Sequence, residues 1–155
     1  MIEEIELQEY RPGYLDAMYA LDQECFSPEF RFDRESMRAF AEEPDAIVRI
    51  ALTTNGEIVG CVIVHLEPMA STQRAYVVTL DVAEQYRRRG LAQRLLSQAE
   101  ERAADAGAQW MELHVFTGNQ GAIRFYESSG YERVGVRRRF YGRAGLDAFV
   151  YRKDL

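Results

Sequence analysis

The alternation of apolar and polar residues along the chain predicts a protein of mixed strands and helices. Residues 3–8 alternate, with Ile5 and Leu7 on one side, as a half-buried strand does. Pro12 and Gly13 interrupt the run. Leu15, Met18, Tyr19, Leu21 and Cys25 then recur close to helical spacing over residues 14–25, until Ser27-Pro28 breaks the pattern. Asp33 is placed to cap a second short helix carrying Met37, Phe40 and Ala41, and Pro44 stops it. Strands over 47–52 and 58–66 flank Asn55-Gly56, a strong hairpin signal. Residues 67–72 are expected to be a loop. The run AYVVTLDV over 75–82 is dense in β-branched residues and predicts a central strand. Leu91, Leu95, Leu96, Ala99 and Ala103 set one face of a long helix over 90–106, with Gly107 where a C-terminal cap belongs. A strand over 110–115, a helix over 119–129 ended by Gly130, and strands over 131–136 and 148–152 complete the order β-α-α-β-β-β-α-β-α-β-β. Neither a repeat nor a low-complexity linker divides it, so one α+β domain is expected over residues 1–155.

Composition narrows the function classes. Hydrophobic residues are 47% of the chain and charged residues 28%, enough for a real core under an ordinary charged surface. The net charge of −6 argues against a general nucleic-acid partner. No apolar run approaches the roughly 18–20 residues of a membrane span, so no membrane partner is expected. The acidic, alternating start is unlike a signal peptide, which makes a cytoplasmic location the expectation. Cys25, Cys61, His65 and His114 fit no metal or disulfide pattern, so no metal is expected.

Against that acidic background, two basic runs stand out: Arg87, Arg88, Arg89 and Arg137, Arg138, Arg139. The first lies between the central strand and the long helix, in TLDVAEQYRRRGLAQ. Unpaired amides and the dipole at a helix N-terminus favour an anion there. Gly90 and Ala92 lack bulk, and arginines add charge-assisted contacts. The segment is neither a Walker A loop nor a dinucleotide fingerprint. On its own it fits a phosphate site or a turn with a solvated basic rim.

Arg87-Arg88-Arg89-Gly90-Leu91-Ala92 resembles the R/Q-x-x-G-x-G/A pyrophosphate loop of the GNAT acetyltransferase superfamily. Asn119-x-x-Ala122-x-x-Phe125-Tyr126-x-x-x-Gly130-Tyr131 resembles a second signature of that family, at a fitting interval. The resemblance runs from about residue 75 to the C-terminus and is looser before it. It implies the GNAT α+β fold, a mixed, strongly twisted sheet of about seven strands with helices on both faces. It implies acetyl-CoA as co-substrate, held by Arg87–Ala92 and Asn119, with Leu80, Asp81 and Val82 along the pantetheine arm and the fourth and fifth strands splayed to admit it. A monomer or weak dimer is expected.

Acetyl transfer to an amine needs a base, oxyanion donors and a proton for the leaving thiolate. Tyr126 is the expected acid, since a phenol keeps its proton at neutral pH and the family places this tyrosine beside the sulfur. His114 is the expected base, an imidazole that ordinarily titrates near 6.5. The run Leu113-His114-Val115 departs from the glutamate of bacterial ribosomal-protein acetyltransferases and is similar to the L-H-V of one eukaryotic N-terminal acetyltransferase subunit. Arg74-Ala75-Tyr76-Val77-Val78-Thr79-Leu80 resembles the same enzyme, which brings Tyr76 into the base system. Glu112 and Asp81 are fallback bases. Arg137-Arg138-Arg139-Phe140-Tyr141 with Asp147-Ala148 resembles that enzyme's peptide-groove wall, with Tyr141 toward substrate and Phe140 in place of a tyrosine. Phe26, Phe30 and Phe32 lie where the family places the opposite wall, so Phe30 is a substrate-binding candidate. The expected function is acetylation of an amine, a protein or peptide N-terminus first. Small-molecule amine acetylation and a non-catalytic acetyl-CoA module stay open.

Overall fold

In a computed structural model describing residues 4–155, the expected order of elements is present. It comprises β1 (Glu6–Glu9), α1 (Leu15–Cys25), α2 (Arg34–Ala41), β2 (Ile47–Leu52), β3 (Ile58–Met69), β4 (Thr72–Val82), α3 (Leu91–Asp105), β5 (Trp110–Phe116), α4 (Gln120–Ser128), β6 (Glu132–Arg137) and β7 (Ala148–Asp154). The first residue of the expected opening strand, Glu3, lies outside the described residues. Among those residues, no helix is long and apolar enough to cross a membrane.

The strands form one mixed seven-stranded sheet in the order β1-β2-β3-β4-β5-β7-β6. Every adjacent pair is antiparallel except β4 and β5, which run parallel. Gly60 on β3 faces α3, where Leu95 Cδ1 would lie 3.0 Å from an added Cβ. Its neighbours in the pleat, Cys61, Ile63 and His65, therefore face α1 and α2, and His65 Nε2 meets the Phe40 carbonyl at 2.8 Å. α4 sits on the α3 side, where Ser129 Oγ donates to Gln93 Oε1 at 2.8 Å. Leu91, Leu95, Leu96, Ala99 and Ala103 are the buried stripe of α3. Each fully buried leucine there is worth about 1.5–3 kcal/mol.

The expected loop over 67–72 is instead strand. β3 and β4 continue to a two-residue turn at Ala70 and Ser71, with Met69 opposite Thr72. A cross-strand ion pair supports the extension. Glu67 lies opposite Arg74 in the register and Arg74 Nε donates to Glu67 Oε1 at 2.8 Å. Pro68, which cannot donate to a ladder, is nonetheless held in β3 opposite Gln73.

Candidate active site

β4 and β5 pair only at Arg74–Trp110, Ala75–Met111 and Tyr76–Glu112. Beyond Tyr76 the two parallel strands part, and their facing edges border a wedge. On its other side β4 also leaves regular register: Ile63 pairs Thr79 but Val64 pairs Val77, so Val78 is the bulged residue. A bulge reverses the facing of everything after it. Tyr76 and Thr79 thus share the α1 side. A cavity of about 550 Å³ fills the fork, lined on its floor by Tyr76, Thr79, Leu80, His114 and Tyr126.

One end of the wedge is built for an anion. α2 is capped by Asp33, whose carboxylate accepts from Ser36 N–H, and α4 by Asn119, whose Oδ1 accepts from Ala122 N–H at 3.1 Å. No side chain among the described residues caps α3, which starts at Gly90 with φ +79°. Its first amides are free to bind an anion. An added Cβ at Gly90 meets nothing within 4 Å, so a phosphate has open access to this backbone. The three arginines divide. Arg87 Nε turns back to the Val82 carbonyl at 2.9 Å, Arg88 sits at φ 62°, and Arg89 lies over the Tyr86 ring at 5.1 Å. Arg87 shapes the loop, and all three arginines are exposed. These features suit the diphosphate of coenzyme A, and the wedge beside β4 suits its pantetheine arm. A branched residue at the left-handed Gly90 would strain the loop by about 1–2 kcal/mol. Gly90→Val is therefore expected to raise the KM for acetyl-CoA about tenfold at nearly constant kcat in steady-state kinetics.

The floor of the cavity brings the expected catalytic residues together. Tyr76 Oη and His114 Nδ1 are 2.7 Å apart. Burial pushes the Tyr76 phenol up, so it keeps its proton. Burial, then the charges of Arg137 and Arg74, lower the His114 pKa to about 4. The histidine is thus neutral at pH 7 and able to accept a proton, but more weakly basic than its ordinary value suggests. Tyr126, on α4, reaches the same cavity and is 9% exposed, and its hydroxyl makes no hydrogen bond among the described residues. Burial, then the charge of Asp81, push its phenol up as well.

Neither fallback base is placed to act. Glu112 is bound to the Arg74 guanidinium. Asp81 is 1% exposed and faces Asp22 of α1, which is fully buried. Its side chain turns to Asp22 and does not line the cavity, so only its backbone borders the wedge. Thr79 Oγ1 donates to Asp81 Oδ1 at 2.5 Å, and Asp22 Oδ2 accepts from Phe32 N–H at 3.1 Å. Burial pushes both thiols up, Cys25 to about 11 and Cys61 well above its ordinary value, so neither is an activated nucleophile.

The two loops expected to flank the cavity meet beside it. Phe30 meets Tyr141 edge-on at 4.7 Å and Phe116 at 5.2 Å, so the loop over 26–32 and the loop between β6 and β7 touch above the cavity. Sequence reasoning missed the Arg74–Glu67–Glu112 ion pairs and the stack of Phe140 on His114. The alternation of Arg74 with Tyr76 and of Glu112 with His114 on two strands was an available signal for the first.

Residues 15–131 match the acetyltransferase (GNAT) family. The N-alpha-acetyltransferase RimI of Mycobacterium tuberculosis is 38% identical over 78 residues, covering 50% of this chain and 48% of that protein. The chain spans about half the length of the first curated relatives it matches. The fold matches Arabidopsis thaliana NAA60 in complex with a bisubstrate analogue (TM-score 0.86, 20% identity, covering 97% of this chain and 98% of that one). It also matches Arabidopsis thaliana Naa50 in complex with the bisubstrate analogue CoA-Ac-MVNAL (TM-score 0.83, 24% identity, covering 97% and 99%). With residues 15–131 of its 155 matched, the chain belongs to the acetyltransferase (GNAT) family.

Proposed function

We propose that this enzyme transfers the acetyl group of acetyl-CoA to the α-amine of a protein or peptide N-terminus, by direct attack in a ternary complex. The observation that carries the reading is the Tyr76–His114 pair at 2.7 Å on the floor of a cavity walled by Phe30 and Tyr141. As the amine nitrogen attacks the thioester carbon, Tyr76 oxygen takes the amine proton and passes its own to His114 Nδ1. Tyr126 gives its proton to the departing sulfur, and the C–S bond breaks as the amide forms. The weak basicity of His114 selects among amines. An α-amine has a pKa of about 7.7–8.0 and is partly neutral at pH 7, whereas a lysine near 10.4 is some 300-fold less so. The RimI relative and the peptide analogue bound to Naa50 support the same reading.

The test is acetyl-CoA turnover against peptides with free N-termini, the same peptides with blocked N-termini and an internal lysine, and small amines. Turnover is expected with the first set. Turnover with a polyamine or amino acid but with none of the free peptides would overturn the acceptor. His114→Ala is expected to lower kcat/KM and to remove the extra steepening of its acid limb near pH 4–5, the window set by the pKa of about 4. An unchanged profile moves the base elsewhere.

A further inference from the structure

Phe140 lies flat on the His114 imidazole, with ring centroids 4.1 Å apart and planes 5° from parallel. The other ring contacts around it are tilted or edge-on: Tyr76–His114 at 53°, Phe30–Tyr141 at 88° and Phe140–Tyr141 at 90°. Phe140 is 40% exposed and sits on a loop, so burial alone does not place it. The backbone does. Arg139 is held at φ 54°, with its N–H donating to Asp147 Oδ1 at 2.8 Å. Tyr141 N–H donates to the Leu146 carbonyl at 3.2 Å. Thr117 N–H donates to the Asp147 carbonyl at 3.1 Å, pinning the loop to the end of β5. The loop is thus tied on both sides of Phe140 and held close to the strand that carries His114.

We propose that Phe140 is a positioning residue for acetyl transfer: presented by the Asp147 clasp, its ring fixes the plane of His114 so that Nδ1 meets the Tyr76 hydroxyl, and it closes one face of the imidazole to water. The proposal rests on the reading of His114 and Tyr76 as the base system. Burial is the first cause of the lowered His114 pKa, ahead of Arg137 and Arg74, and Phe140 supplies part of that cover. The charged and titratable groups around His114 are Tyr76 and Arg74 of β4, His65 and Glu67 of β3, Tyr126 of α4, Arg137 of β6 and Tyr141 beside Phe140, with Glu112 of its own strand bound to Arg74. Glu29 and Arg31 line the cavity from the loop over 26–32. Removing the Phe140 ring leaves all of these in place.

The chain has two histidines, so each imidazole can be titrated by NMR, with His114→Gln assigning the signals. In Phe140→Ala the His114 midpoint is expected to rise by about one unit toward its ordinary value. Asp147→Ala should move it the same way, while Phe140→Tyr and Asp147→Asn keep it near the wild-type position. An unchanged far-UV circular dichroism spectrum and thermal midpoint in each variant report an intact fold. The acid limb of kcat/KM is expected to follow the His114 midpoint. An unmoved midpoint in Phe140→Ala overturns the proposal. A midpoint that moves while the acid limb stays upholds the grip of the ring on His114 and overturns the assignment of His114 as base.

Discussion

Replacing Tyr126 with phenylalanine is expected to lower kcat about 10²-fold while leaving the KM for acetyl-CoA within about twofold. The ring of Tyr126 is part of the core, in edge-on contact with Phe125 at 5.1 Å and Tyr131 at 5.7 Å. Phenylalanine fills that volume, so packing and cofactor access are preserved. What goes is a hydroxyl that bonds no other described side chain and opens into the fork between β4 and β5. Burial pushes its pKa up, so the proton is present at every pH the enzyme would work at. A thiolate leaving from a thioester in a cavity lined largely by apolar and aromatic side chains has poor solvation, and a phenol at hydrogen-bond range both stabilises and protonates it. Losing that donor costs about 2.7 kcal/mol of barrier for a 10²-fold effect. Single-turnover kinetics with saturating acetyl-CoA isolate the chemical step. Near-normal single-turnover rates in Tyr126→Phe would remove the residue from the acid role.

The order of strands and helices was legible in the sequence because apolar spacing reports burial, and burial here follows simple layers. The α3 stripe from Leu91 to Ala103 and the Asp33 cap were readable for the same reason. The β3–β4 turn was not. Its extension depends on Glu67 meeting Arg74, a pairing that periodicity within one strand cannot show. The site divides in the same way. The uncapped start of α3 at Gly90 and the meeting of Tyr126, His114 and Tyr76 at one cavity were legible because local motifs carry them. Phe140 on His114 was not, because the contact depends on a left-handed Arg139 held by a carboxylate eight residues away. Asp81 misled for a further reason. A carboxylate at a strand end usually meets water, and nothing in the strand itself reveals that α1 delivers Asp22 against it. An aspartate next to Leu21, among the apolar positions of α1, was the one available signal.

Asp81→Ala is expected to destabilise the fold by about 2–3 kcal/mol, and Asp81→Asn to flatten a dependence of stability on pH that the wild type shows. Asp22 and Asp81 face each other in the core, and Asp22 Oδ1 and Asp81 Oδ2 have no other hydrogen-bond partner among the described residues. Two touching buried carboxyls cannot both ionise. Burial raises both. Asp81 is raised well above the carboxylate range, first by burial and then by the charge of Asp22. Asp22 is held back by its bonds from Asp81 and from Phe32 N–H. The shared proton therefore belongs to Asp81, which donates to Asp22. Above the ordinary aspartate pKa of about 3.9 the folded chain holds a proton that the unfolded chain has lost. The stability this proton contributes is complete below that value and is lost as pH rises through the folded pKa of Asp81. The slope reaches about 1.4 kcal/mol per pH unit within the window. In Asp81→Asn the side-chain amide donates to Asp22 at every pH, so that slope disappears. Urea unfolding between pH 5 and 9 measures it directly, and parallel wild-type and Asn curves would refute the shared proton. The consequence reaches the site, because Asp22 also holds Phe32 N–H in the acceptor wall. Once Asp81 ionises, repulsion at Asp22 acts on that wall. The acceptor KM of the wild type should accordingly climb at high pH, while that of Asp81→Asn stays level.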